Sequence, residues 1–379
     1  MRHIRPIAFY LPQFHPIPEN DEWWGRGFTE WRNVVNARPR FRDHLQPHLP
    51  ADLGFYDLRV PEVQEAQAAL ARQYGIQGFC YYHYWFEGRR LLQRPVEQLL
   101  QNRRPDFPFC LCWANENWSR TWDGQDRQIL VAQTYSAADD EAHFRALLPA
   151  FRDPRYITID GRPLFIVYRA HQLPSPSETA ARWQTLARAA GLPGLYLAYV
   201  EVTAANGPGG LIPGFEAAIE FAPDWGHLPR PLPMRGQAPW RKIARKLGLS
   251  AQPALGQDIV YHYTDLIKSM LAKPVPSYLR FPGVTPSWDN SARRKSGARI
   301  FHGSTPDLYA QWLEAAVKRF QPPSPSEDFI FINAWNEWAE GSHLEPCQRW
   351  GHAYLEATAR VLRAMNTRPD PQLEAVAAV

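Results

Sequence analysis

The stretch FINAWNEWAEGSHLEP, residues 331–346, decides how this chain is read. FINA is short and apolar, in the manner of a strand end. NEWAE follows at once and sets Glu337 and Glu340 three apart, the first beside Trp338 and the second two residues past it. On an extended strand, positions three apart face opposite sides. If the chain turns or coils after Trp335, the two carboxylates come onto one face. Two carboxyls a few ångströms apart push their pKa values apart, so one serves as acid and the other as base. As a bare spacing ExxE is common on helix surfaces; at the end of a terminal strand, flanked by Trp and Asn, it means more.

Working outward, short apolar runs recur at 4–11, 78–86, 107–114, 163–168, 195–200, 217–221, 279–284 and 329–334. They lack clean alternation, as strands buried on both faces do. Segments with helical spacing lie between most of them: 61–74, 91–102, 137–151, 177–190 with Ser177 as a candidate cap, 261–272, 306–320 and 352–365. The pattern predicts an α/β fold, a single (β/α)8 TIM-type barrel with long βα loops. The barrel is expected over 1–365, interrupted by a Pro-rich basic insertion at about 223–258, with a flexible C-terminal tail at 366–379. The loop at 12–58 is also long, and long loops in compact domains tend to be functional or disordered.

In such barrels the active site lies at the C-terminal ends of the strands. Polar and aromatic residues collect there. Tyr10, Gln13 and His15 belong to the first strand end. His83, Tyr84 and Trp85 belong to the second, and Trp113, Asn115, Glu116, Asn117 and Trp118 to the third. Tyr168 and Arg169 mark the fourth, Glu201 the fifth and Glu220 the sixth. Trp288, Asp289 and Asn290 follow the seventh, and Trp335 and Asn336 join the glutamate pair at the eighth. Unpaired carboxylates are costly to bury, so a plain core has no use for so many. Flat rings with polar edges suit sugar faces, and 15 Trp, 16 Tyr and 19 Phe supply them. The expected site is a saccharide cleft, with Glu337 and Glu340 catalytic and Tyr10, His83, Tyr84, Trp85, Trp113, Asn115, Glu116, Trp118, Tyr168, Glu201, Glu220, Trp288, Asp289, Trp335 and Asn336 binding substrate.

Other features have plainer readings. His83 between tyrosines serves either a ligand or the core. Glu116 reads as a substrate hydrogen-bonder or structural partner, and Glu345 as a structural or positioning carboxylate. His44 and His48 are separated by Pro47, which disfavours a helical metal pair. No CxxC, GxGxxG or GxxxxGK[ST] occurs, so no metal and no cofactor are expected. The four cysteines read as reduced thiols. Net charge is +4, and the basic run at 241–246 reads as a solvated loop rather than a contact for nucleic acid, phosphate or membrane surface. No stretch approaches the ~20 apolar residues that span a bilayer, and the N-terminus has no signal-like apolar region. A cytoplasmic setting is expected; the oligomeric state stays open.

Four blocks, 8–31, 78–86, 112–124 and 331–346, resemble the glycoside hydrolase family 99-like, WbsX-like proteins of bacterial polysaccharide loci. The resemblance runs over about residues 4–360. It implies a retaining, endo-acting glycosidase acting on an α-mannoside- or α-rhamnoside-like bacterial polysaccharide, such as O-antigen. Glu337 is then the base for the sugar 2-OH, which forms a 1,2-anhydro sugar, and Glu340 is the acid/base. This differs from schemes in which a carboxylate is itself the nucleophile. The label carried by the WbsX-like branch implies glycosyl transfer in O-antigen or capsule assembly instead, although no Rossmann fingerprint is visible. A non-catalytic carbohydrate-binding barrel is the third reading.

Overall fold

The computed structural model describes residues 4–120, 125–202, 210–233 and 258–366. The basic run at 241–246, most of the insertion and the tail beyond 366 lie outside them. Eight staves form the barrel: β1 Arg5–Tyr10, β2 Gly78–Phe86, β3 Phe109–Trp113, β4 Arg162–Val167, β5 Tyr196–Glu201, β6 Ala217–Glu220, β7 (Arg280–Phe281 and Gly283–Val284) and β8 Phe329–Ile332. All neighbouring staves pair in parallel, in the order β7-β6-β5-β4-β3-β2-β1-β8-β7.

The seventh stave closes the ring in two halves. Arg280–Phe281 pairs with β6 and Gly283–Val284 with β8, and Pro282 stands between them. Proline has no N–H to give, but its carbonyl accepts from Phe331 N at 2.9 Å. Gly283 is required there. A Cβ would lie 1.9 Å from the Glu220 carbonyl oxygen, which is backbone and cannot move aside.

Helices wrap the outside: α1 Pro61–Gln73, α2 Arg94–Asn102, α3 Ala137–Phe151, α4 Pro176–Ala189, α5 Tyr263–Leu271, α6 Pro306–Arg319 and α7 Ala353–Asn366. Proline at the first turn starts α1, α2, α4 and α6, where its missing N–H costs nothing. Ser136 and Thr305 cap α3 and α6 by accepting from Asp139 N and Leu308 N. The expected cap Ser177 instead sits inside α4; Ser175 holds the cap position and makes no side-chain cap bond. Between β5 and β6 no helix occurs among the described residues.

Two short helices, Pro18–Trp24 and Glu30–Asn36, occupy the long first loop. They carry Asn20, Trp23, Trp24 and Glu30 over the C-terminal mouth of the barrel.

Candidate active site

The NEWAE segment answers its own geometric question. Asn336–Glu337 pairs with Ser342–His343, and Trp338–Glu340 forms one 3-10 turn. Glu337 caps that turn and Glu340 ends it, and both side chains reach one arginine, Arg293, so they project to the same side. The turn is closed by Gly341 at φ 59°, whose N–H reaches the Trp338 carbonyl. A Cβ on Gly341 would lie 2.9 Å from Asp289 Cβ and 3.1 Å from Asp289 N. Asp289 N in turn donates to the Glu340 carbonyl at 2.6 Å. The turn and the loop after β7 are therefore locked backbone to backbone.

Both glutamates line a cavity of about 440 Å³ at the C-terminal ends of the staves. Arg293 spans them. Its Nη2 lies 2.8 Å from Glu337 Oε2, its Nη1 2.8 Å from Glu340 Oε1, and its Nε 3.0 Å from Glu30 Oε2. Burial works against the charge on Arg293, but the three carboxylates outweigh it. Burial pushes Glu337 up to about 8; Arg293 opposes the shift, and repulsion from Glu340 and Glu30 adds to it. Glu340 is raised by burial too, against Arg293 and Arg294. Both carboxyls are thus biased toward the protonated form, and ionisation of one of them leaves the pair with one acid and one base.

The expected residues divide by strand parity. Tyr84, Glu116, Trp118, Tyr168 and Trp288 line the cavity with the glutamate pair. Along β2, Tyr82 and Tyr84 face in, while His83 and Trp85 face the helices. There His143 of α3 stacks on both, 2.9 Å from His83 through the two Nε2 atoms. Burial drops His83 to about 3, so it is a neutral core histidine. Trp85 Nε1 donates to Asp139, and Trp113 Nε1 to the Trp85 carbonyl. Asn115 joins two loops, donating to the Arg169 carbonyl and accepting from Arg169 N.

Glu201 and Glu220 also point outward. Glu201 pairs with Arg280 at 2.7 Å and Glu220 with Lys273 at 2.7 Å. Asp289 accepts from Gln46 and pairs with His44, both at 2.7 Å; burial raises its pKa, but His44, with His48 and Ser291, holds it low. Tyr10, Trp335 and Asn336 lie beneath the cleft floor. Asn336 mimics a strand neighbour, accepting from Leu11 N at 2.7 Å and donating to its carbonyl. Tyr10 donates to Gln67, which donates to Glu345; Trp335 packs on Phe79. Glu345 accepts also from Tyr56 and from Trp338 Nε1 at 2.6 Å. Burial raises Glu345 to about 7 despite these donors. This network fixes the Trp338 indole in the turn that carries the two glutamates.

Sequence reasoning missed Arg293, Glu30, Tyr82, Asn20, Trp23, Trp24, Trp225 and Asn333. The parity of β2 was a signal for Tyr82. Nothing local marked Glu30, which reaches the site from a loop helix. Four cavity-lining polar atoms, Gln13 Oε1, Asn20 Nδ2, Trp288 Nε1 and Asn333 Oδ1, are buried without a hydrogen-bond partner among the described residues. Such atoms at the wall of a pocket are positioned for a ligand rich in hydroxyls. Among the described residues no cluster of three or more His, Cys, Asp or Glu is arranged to hold a metal, and no helix is long and apolar enough to cross a membrane.

Comparison with known proteins places the chain in a family. The chain is 45% identical over 369 residues to the uncharacterized protein WxcX of Xanthomonas campestris pv. campestris strain B100, covering 97% of this chain and 50% of WxcX. The chain thus spans about half the length of the curated relatives it matches. Among solved structures, the GH99 endo-alpha-mannosidase of Bacteroides thetaiotaomicron superposes with a TM-score of 0.54 at 14% identity, covering 100% of each chain. A glycoside hydrolase-like protein gives 0.57 at 13% identity, over 96% of this chain and 94% of its own. At such identities the likeness shows a shared barrel fold. A family model described as Glycosyltransferase WbsX matches residues 6–358. On that match, which covers nearly the whole barrel, the chain belongs to the WbsX glycosyltransferase family.

Proposed function

We propose that this chain cleaves glycosidic bonds with retention of configuration, using Glu337 and Glu340, on an α-mannoside- or α-rhamnoside-like polysaccharide. The observation that carries the reading is the carboxylate pair itself: a buried Glu337 and a half-buried Glu340 at the start and end of one 3-10 turn, bound to one guanidinium, at the wall of an aromatic cleft. The unpartnered amide and indole atoms around it support a polyhydroxylated substrate.

In this reading Glu337 takes the proton from the sugar 2-OH, and O2 attacks the anomeric carbon. The bond to the leaving oxygen breaks as Glu340 gives that oxygen its proton. A 1,2-anhydro sugar results. Glu340 then takes a proton from water, the water oxygen attacks the anomeric carbon as its bond to O2 breaks, and O2 recovers its proton from Glu337. Two inversions leave the configuration retained. Arg293 accompanies both carboxylates, so whichever one is ionised at each step keeps a counter-charge. The 2-OH must lie trans to the leaving group, as in α-mannosides and α-rhamnosides. Endo action is part of the proposal and rests on the family resemblance.

The family description favours a second reading, transfer of the sugar to an alcohol acceptor in place of water. The same pair performs it, with the acceptor hydroxyl deprotonated by Glu340. Glu337→Gln and Glu340→Gln, assayed on defined α-mannosyl and α-rhamnosyl oligosaccharides with and without added acceptor, test both. Wild-type rates in both variants overturn the assignment. Binding without turnover by the wild type replaces it with a carbohydrate-binding barrel.

A further inference from the structure

Glu30 takes no part in the proton transfers at the glutamate pair, yet it binds the same arginine. It sits on the short helix Glu30–Asn36, is fully buried and does not line the cavity. Its Oε2 lies 3.0 Å from both Nε and Nη2 of Arg293. Its Oε1 has no hydrogen-bond partner among the described residues. A carboxylate placed in this way gives up water on both oxygens and regains hydrogen bonds on one. Stability alone is poorly served by it, because a buried ion pair adds little over apolar packing of the same volume.

The helix is fixed against the turn that carries the pair. Trp31 Nε1 donates to the Tyr56 carbonyl at 2.8 Å, and the Trp31 ring packs on Phe14 and Trp338 with centroids 4.5 and 5.6 Å away. Glu30 therefore meets Arg293 at a set place. It occupies Nε and one side of Nη2, and the guanidinium gives Nη2 to Glu337 and Nη1 to Glu340. Counting Arg293 and its three acids alone, full ionisation leaves two uncompensated negative charges. Glu30 takes a share of the cation that the two glutamates have in common, so it works against the loss of their protons. The other groups facing the acids are Arg294, which acts on Glu340, Tyr82 and Tyr84 from β2, and Tyr168 after β4. Burial raises all three phenols, so they stay neutral and leave the charge balance to the arginines and acids.

We propose that Glu30 is a positioning residue: it holds the Arg293 guanidinium between Glu337 and Glu340, and its charge biases that pair toward keeping its protons. The first loop then supplies part of the machinery as well as the cover of the cleft. The consequence for catalysis rests on the glycoside-processing reading above.

The test is carboxyl-carbon NMR titration of the glutamate-labelled wild type, the neutral variants Glu30→Gln and Glu30→Ala, and Glu30→Asp, which keeps the charge. Glu337→Gln and Glu340→Gln assign the resonances, and thermal melts establish which variants are folded. In a folded neutral variant Glu337 should titrate at least about one pH unit below its wild-type value of about 8. In Glu30→Asp most of the upward shift should remain. Glu337 titrating as in the wild type in a neutral variant overturns the assignment. So does a fall in Glu30→Asp as large as in Glu30→Gln. This readout needs no turnover. With α-mannosyl and α-rhamnosyl probes that are turned over, the pH profile of kcat/KM should move to lower pH by the same amount. A rate lowered equally at every pH marks a merely structural role and overturns the proposal. A shifted titration without turnover of any probe leaves the role of Glu30 standing and removes the glycosidase, while turnover with an unmoved titration removes the role of Glu30 alone.

Discussion

Replacing Arg293 with methionine removes a positive charge shared by three carboxylates, Glu30 and Glu337 buried and Glu340 half-buried. With charge centres about 4 Å apart and an effective dielectric near 20, each ion pair is worth at most ~4 kcal/mol. One pKa unit is about 1.4 kcal/mol, so losing the arginine raises a neighbouring carboxyl by up to ~3 units. Side-chain relaxation and water entry reduce that, and a rise of about 1–3 units above the wild-type value is expected. Glu337 starts from about 8, so in the variant it stays protonated throughout the neutral range.

The sign follows for stability. A carboxyl whose folded pKa lies above its unfolded value contributes its full stability below pH ~4.5, and loses it as pH rises through the folded pKa. In the wild type that window runs from ~4.5 to about 8. In Arg293→Met it extends further and the loss is larger. Thermal melts from pH 5 to 10 should therefore show a Tm gap between variant and wild type that stays nearly constant up to about pH 7 and widens as pH passes about 8, where the wild type stops losing stability and the variant does not. Breaking a buried pair costs ~3–5 kcal/mol when the partner stays charged, which bounds the gap at the alkaline end. The carboxyl-carbon NMR titration of glutamate-labelled protein gives the pKa values directly. Arg293→Lys keeps the charge and should recover most of the pKa shift. A Tm gap constant across pH, with Glu337 titrating where it does in the wild type, refutes Arg293 as the counter-charge.

Glu337→Gln removes the group that destabilises the fold once ionised, so its Tm relative to wild type should rise from pH 5 to pH 9; a fall over that range contradicts the buried placement. Gly341→Ala forces a Cβ against Asp289 at a φ of 59° and should cost at least ~1 kcal/mol, with a drop in kcat because Glu340 is displaced; an unchanged melt and rate would show that the turn is not locked. Glu345→Gln sets an amide N–H₂ among three donors, Trp338 Nε1, Tyr56 OH and Gln67 Nε2. About 1–3 kcal/mol of destabilisation is expected, read by urea unfolding at pH 8, and a neutral effect would show that the network is not held by a carboxyl.

The fold was legible because each stave is an apolar run long enough to stand out, and the helices carry clear spacing. Even the weak seventh run at 279–284 forms its stave, split at Pro282. The site was legible only to the level of strand ends. A strand sends alternate side chains to opposite faces, so the polar residues at one end divide between cleft and helix layer. Tyr82 and Tyr84 face the cavity while His83 and Trp85 do not. Glu116 faces it while Trp113 does not, and Phe221 faces it while Glu220 turns to Lys273. Applied to each run, parity alone would have separated these residues. Arg293 and Glu30 lay beyond that rule. They come from loops 263 residues apart in sequence, and only the folded barrel brings them to one ion pair.

The central claim is that Glu337 and Glu340 cut a glycosidic bond with retention. Proton NMR of the earliest product tests it most directly, followed over time on a panel of α-mannosyl and α-rhamnosyl oligosaccharides. The wild type should release the α-anomer first, and Glu337→Gln and Glu340→Gln should each lose about 10²–10⁴ in rate. A β-anomer as the first product, or either variant at the wild-type rate, contradicts the account.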